Sequence, residues 1–130
     1  MKVWMAVGCG GFAGAMLRYG LASITPALHI GNAGPIPLGT LLVNLSGCLA
    51  IGLLFGLSEC VAGFDTLLQR FIFTGLLGGF TTFSAFSLET MQLLRSPYPG
   101  LAFLYMGASV LPGVLLTWAA YAGVLKLLGP

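Results

Sequence analysis

The chain has 130 residues, 58% of them hydrophobic and only 6% charged, where an average soluble domain carries roughly a quarter charged residues. This composition excludes a soluble globular fold, and because each bilayer crossing takes about 20 apolar residues, four crossings leave no length for a separate catalytic domain. Five Lys and Arg against three Asp and Glu, spread singly, form no basic run that could track a phosphate backbone, so nucleic acid is excluded as a partner.

The first predicted span runs from Val3 to about Ile24. Its start, "MKVWMAVGCGG", resembles a secretion signal. The apolar run ahead of Cys9 is nevertheless shorter than a signal's roughly 7 to 15 apolar residues, and apolar character continues to Leu17, so a retained helix is expected. A second span covers Leu38 to Ser58, a third Phe71 to Leu94, and a fourth about Leu101 to Leu128. The connections "HIGNAGPIP", "ECVAGFD" and "RSPYPG" are rich in turn formers and charge. Four helices and short loops predict a compact bundle forming one domain over residues 1–130.

Small residues recur at helical spacing: Gly10 and Gly14 in the first span, Gly52 and Gly56 in the second, Gly75 and Gly79 in the third. In lipid, helices associate by close backbone approach rather than by hydrophobic drive, so these positions read as packing sites. Cys9, Cys48 and Cys60 are odd in number and form no CxxC pair, which makes them packing residues too. One membrane face collects Lys2, Arg70 and Lys126, the other Arg95 and, by snorkelling, Arg18. So weak a bias permits insertion in both orientations.

Few polar groups remain inside the spans, and each must be paired, because burying one unpaired is costly. Thr40 and Asn44 stand at i and i+4 with Gly47 a turn further on; the Asn44 amide can join two helices or donate to an anion. Tyr105 and Ser109 repeat that spacing ahead of Pro112, which should bend the helix, and Thr117. Their hydroxyls can serve a ligand or bond back to their own helix.

The third span holds the sharpest signal. "GGFTTFSAFS", Gly78 to Ser87, predicts a helix break near the bilayer centre, where irregular backbone is tolerated only if enclosed by protein or lining a wet cavity. Carbonyls freed there can bind a cation, or the glycines can simply kink the helix for packing. Phe83 and Phe86 share a face with Gly79 and Thr82, beside Ser84 and Ser87, and present positive ring edges to which a small anion is attracted. Glu89 and Arg18 lie nearer the interfaces, and His29 reads as a solvated loop residue. No Ser/His/Asp set, HExxH or paired acids occur, so an enzyme is not expected.

Together these stretches resemble one family, the Fluc (CrcB) fluoride channels. "GGFAGAMLRY" is similar to its first-helix signature, "GTLLVNLSG" to its second, "GLLGGFTTFSAFSLE" to its third and "YMGAS" to its fourth. The resemblance implies an all-α integral membrane protein with four transmembrane helices per subunit and a broken third helix. Its subunits would form an antiparallel, dual-topology homodimer with two pores in the bacterial inner membrane. It further implies that backbone carbonyls of Gly78 and Thr81 from each subunit hold a structural sodium ion at the dimer interface. By position, Phe83 and Phe86 match the pore aromatics, Asn44 an anion contact, and Tyr105, Ser109 and Thr40 further pore-lining groups. Ser84 and Thr117 match a hydroxyl track, and Arg18 and Glu89 the vestibules. Ala85 departs from the family's TTFSTFS, so a hydroxyl is missing at that position.

The implied function is passive, fluoride-selective export. A small dual-topology multidrug or cation exporter is the alternative, although it needs a membrane-embedded acid that the first span lacks. A third reading, a non-transporting assembly subunit, leaves the Asn44, Phe83 and Phe86 face with no purpose beyond packing.

Overall fold

A computed structural model describes residues 1–26, 28–29 and 35–129. The first helix, α1, spans Lys2–Ile24, and α2 spans Leu38–Cys60. Between them Leu28–His29 (β1) and Pro35–Ile36 (β2) pair antiparallel, with Leu28 opposite Ile36 and His29 opposite Pro35. Exposed His29 therefore sits in a short strand, not in the plain loop expected. The turn formers at 30–34 lie outside the described residues.

Helical winding of the third span begins at Thr66, five residues before the expected Phe71. The cause is local: the Asp65 carboxylate accepts the Leu68 N–H at 2.7 Å, an N-cap. After α3 (Thr66–Gln69) the backbone winds as a π-helix over Arg70–Leu77, returns to α geometry in α4 (Gly78–Phe80), and opens at Thr81 and Thr82. Both threonines are extended, at φ −83°, ψ 158° and φ −148°, ψ 116°. Helix α5 (Phe83–Leu94) then leads to α6 (Gly100–Leu128), which continues helically through Pro112.

Three stretches, Leu38–Cys60, Thr66–Leu94 and Gly100–Leu128, are long and apolar enough to cross a membrane. Helix α1 has the length, at 23 residues, but its glycines and Arg18 dilute its apolar character. The chain is thus a mostly helical, multi-pass membrane protein into which a four-helix bundle fits.

Packing is interleaved. Helix α1 lies mainly against the third span, and α2 against α6. The spaced glycines are the contact points. A Cβ added at Gly10 would come 2.5 Å from the Phe71 carbonyl oxygen and 2.8 Å from the Leu76 nitrogen, while one at Gly75 would come 2.8 Å from the Val7 carbonyl oxygen. In the other pair, Gly52 faces the Thr117 carbonyl and Gly56 faces Val124. At these positions hydrogen is the only substituent that lets the backbones meet.

Gly8 has no heavy atom within 4 Å of such a Cβ, so it separates packing from helix propensity. Gly10→Val should lower stability by about 2 kcal/mol or more through overpacking, with Gly8→Val near the parent. Reversible unfolding in mixed micelles measures both, and equal values would contradict the seam.

Candidate functional site

The break in the third span is closed by one side chain from α2. Thr82 N–H donates to Asn44 Oδ1 at 2.9 Å, and Asn44 Nδ2 donates to the Thr82 carbonyl at 3.2 Å. An asparagine amide carries the same donor and acceptor as a peptide, so it completes the opened backbone as a neighbouring strand would. Thr82, only 9% exposed, then turns its own hydroxyl to the next helix, where Oγ1 accepts the Ala85 N–H at 3.3 Å.

These bonds decide what is left free. In an unbroken helix the Gly78 carbonyl would receive the Thr82 N–H and the Thr81 carbonyl the Ala85 N–H. Both protons go to side chains instead. Among the described residues no group of three or more His, Cys, Asp or Glu could hold a metal ion. A cation at this point would therefore meet hard backbone oxygens rather than His or Cys side chains.

A cavity of about 350 Å³ opens beside the break, lined by Asn44, Gly78, Thr81, Thr82, Phe83, Phe86 and Ser109 together with Cys48, Ile51 and Phe73. Phe83 is 79% exposed on the single chain, whereas Phe86 is half-buried between it and Tyr105, with ring centroids at 5.7 and 5.4 Å. Cys48, Ile51 and Phe73 were missed in the sequence; the signal for the first two was their position one and two turns beyond Asn44 on one face of α2.

The remaining expected site residues divide. Thr40 Oγ1 donates to Glu89 Oε1 at 2.6 Å and Tyr105 O–H to Glu89 Oε2 at 2.7 Å, so one carboxylate gathers α2, α5 and α6. Thr40 and Glu89 line a second cavity, about 390 Å³, between the end of α1 and the start of α2. Tyr105, 3% exposed, packs with Leu93 and Ala102. Ser109 donates back to the Tyr105 carbonyl at 2.8 Å while lining the first cavity. Ser84 is exposed, its Oγ 3.3 Å from that of Thr82. Thr117 is turned into the α2–α6 seam, where its hydroxyl lies 2.9 Å from the Cys48 carbonyl and 3.1 Å from that of Gly113. Half-buried Arg18 lines neither cavity.

The profile of the family described as CrcB-like protein, Camphor Resistance (CrcB), matches residues 5–121. The chain belongs to the CrcB family. Among curated relatives, the "Fluoride-specific ion channel FluC" of Flavobacterium psychrophilum is 42% identical over 118 residues, covering 91% of this chain and 93% of the relative. Proteins of the same name from Methylobacillus flagellatus and Stutzerimonas stutzeri are each 39% identical, over 90% and 94% of this chain and 90% and 96% of their own lengths. Helix α2, the whole third span with its break, and most of α1 and α6 fall within the matched residues of this CrcB chain.

Removing the Asn44 amide strands a buried N–H and a buried carbonyl. Asn44→Ala should destabilise the protein by about 1 to 3 kcal/mol. Ser84→Ala, an exposed change, should stay within about 0.5 kcal/mol of the parent. Thermal unfolding in detergent gives the comparison, and an Asn44→Ala protein as stable as Ser84→Ala would refute the closure.

Proposed function

We propose that this chain is a fluoride-selective channel that exports cytoplasmic fluoride passively across the bacterial inner membrane. The carrying observation is the match over nearly its whole length to relatives named fluoride-specific ion channels. The cavity beside the break supports it chemically. Ring edges of Phe83 and Phe86 and the second N–H of the Asn44 amide offer attraction to a small anion without a fixed positive charge, and the Ser109 hydroxyl would add a donor on turning from the Tyr105 carbonyl. Such a site replaces part of the hydration shell yet lets the ion leave. The protein is not an enzyme.

The driving force follows from acid chemistry. Hydrogen fluoride crosses membranes neutral and dissociates in the less acidic cytoplasm; an open anion path then lets the inside-negative potential expel the ion. Thr40, Glu89 and Tyr105 serve as the polar route from the second cavity. Ser84 and Thr117 add hydroxyls, and Arg18 attracts anions at the vestibule. The hydroxyl absent at Ala85 is replaced by the neighbouring Ser84 and Thr82 pair.

In this reading the whole chain is one channel-forming unit working as an antiparallel homodimer of dual-topology subunits with two pores. Exposed Phe83 supports it, since a second copy laid on that face would enclose the ring. A structural sodium ion between the subunits would be held by the Gly78 and Thr81 carbonyls of each, supplying positive charge to oxygens whose helical partners are engaged elsewhere.

Liposomes loaded with potassium fluoride and containing the purified protein should release fluoride once a potassium ionophore compensates the charge. Neither a proton nor a sodium gradient should be needed, and chloride should barely leave. Release that requires an imposed proton gradient would instead mark an exchanger.

The near-balance of Lys2, Arg70 and Lys126 against Arg18 and Arg95 should place both orientations in one membrane. C-terminal reporters active only in the cytoplasm, or only outside it, should both give signal. A single orientation would overturn the antiparallel arrangement.

A further inference from the structure

The cavity beside the break has two aromatic walls, and the channel reading uses only one. On the first, Phe83 meets Phe86, Phe86 meets Tyr105, and the Tyr105 hydroxyl donates to Glu89. On the second, Phe73 lines the same cavity and meets the ring of Phe55 at 6.0 Å and 69°. Phe55 meets Tyr121 at 5.8 Å and 38°, and the Tyr121 hydroxyl donates to Glu59 Oε2 at 2.8 Å. The order Phe, Phe, Tyr, Glu is repeated by residues from different elements. One series comes from α5 and α6, the other from the π-wound segment, α2 and α6.

The second series also lies where a path would have to continue. Asn44, Cys48 and Ile51 line the cavity along one face of α2, and Phe55 and Glu59 follow on that face at i+4 steps. From Asn44 to Glu59 is a rise of about 22 Å, which reaches the end of the bundle. There α2 ends at Cys60, the third span begins at Thr66 and α6 ends at Leu128. Lys2, Arg70 and Lys126 belong to the same end, as do the carboxylates of Glu59 and Asp65, so basic side chains outnumber acidic ones there by one.

We infer that Phe73, Phe55 and Tyr121 form a second anion-lining track, carrying fluoride between the cavity and the membrane face that bears Lys2, Arg70 and Lys126. The inference rests on the channel reading above and extends it to residues that reading leaves unused. Phe73 and Phe55 supply ring edges, and they meet one another edge to face. Glu59 is a positioning residue. By accepting the Tyr121 hydroxyl it fixes that ring against Phe55 and keeps the mouth in one geometry.

A purely structural aromatic stack would make the same contacts, so the test must separate ring chemistry from bulk. Phe55→Ile and Phe73→Ile keep an apolar side chain and remove the ring edge; Phe55→Tyr keeps the edge. Phe103, 66% exposed on α6, serves as a lipid-facing control through Phe103→Ile. In the potassium fluoride liposome assay, Phe55→Ile and Phe73→Ile should slow release by about tenfold, the rate equivalent of one aromatic contact. Phe55→Tyr and Phe103→Ile should match the parent. Phe55 is half exposed, so Phe55→Ile keeps the fold even where Phe73→Ile does not, and its rate alone then decides. Parent-like release from Phe55→Ile overturns the inference, as does equal slowing in Phe55→Tyr. Those results leave the channel reading standing if the parent conducts and Phe83→Ile does not; a parent that releases no fluoride removes both.

Discussion

The reciprocal pair between the Asn44 amide and the Thr82 peptide is the constraint on which the interior of this protein depends. A helix inside hydrocarbon has no water to complete a broken turn, so it can open only where other protein groups take over its hydrogen bonds. Asn44 does this from α2. With that closure in place the third span can leave helical geometry at Thr81, restart at Phe83 under the Thr82 cap, and bring Gly78, Thr81, Phe83 and Phe86 to one cavity. The cavity, the aromatic walls and the freed oxygens all follow from a single amide donating and accepting once each.

A second carboxylate-centred cluster does comparable work nearer the membrane surface. Glu89 is a poor residue to bury alone, yet both of its oxygens receive short hydroxyl bonds, from Thr40 and Tyr105. Hydrogen bonding to the charged form offsets part of its desolvation. The result ties α5 to α2 and α6 at the level where Phe86 stacks on Tyr105. A residue that looked like a vestibule charge in isolation is thus also a joint between three helices.

Much of this was legible in the sequence, for physical reasons that can be named. Long apolar stretches and turn chemistry set the ends of α1, α2 and α6 to within two residues. The glycine spacing identified the contact surfaces, because nothing else lets helix backbones approach in lipid. The early start at Thr66 was missed because Arg70 and Asp65 read as loop charges, although Asp65 is itself a capping residue. The π winding of Arg70–Leu77 was not foreseen, because the apolar and polar positions of so short a segment do not tell i→i+5 bonding from i→i+4. Nor could a pairing across 38 residues be assigned to Asn44 before the neighbours of α2 were known. The roles of Phe73 and Phe55 were hidden likewise, since a lone phenylalanine in a span is ordinarily packing.

The interleaved packing has a consequence for how the chain is made. Helix α1 finds its partner in the third span and α2 in the fourth, so neither close pair joins consecutive helices. As the protein enters the membrane from its N-terminus, α1 arrives with its glycine seam bare, and α2 cannot cover it. Only when the third span is delivered does that seam close, and Gly52 and Gly56 stay open until synthesis is nearly finished. Through that interval lipid tails, or the insertion machinery, must occupy the grooves that helices will later fill. Packing of this small bundle is therefore completed only by its last helix.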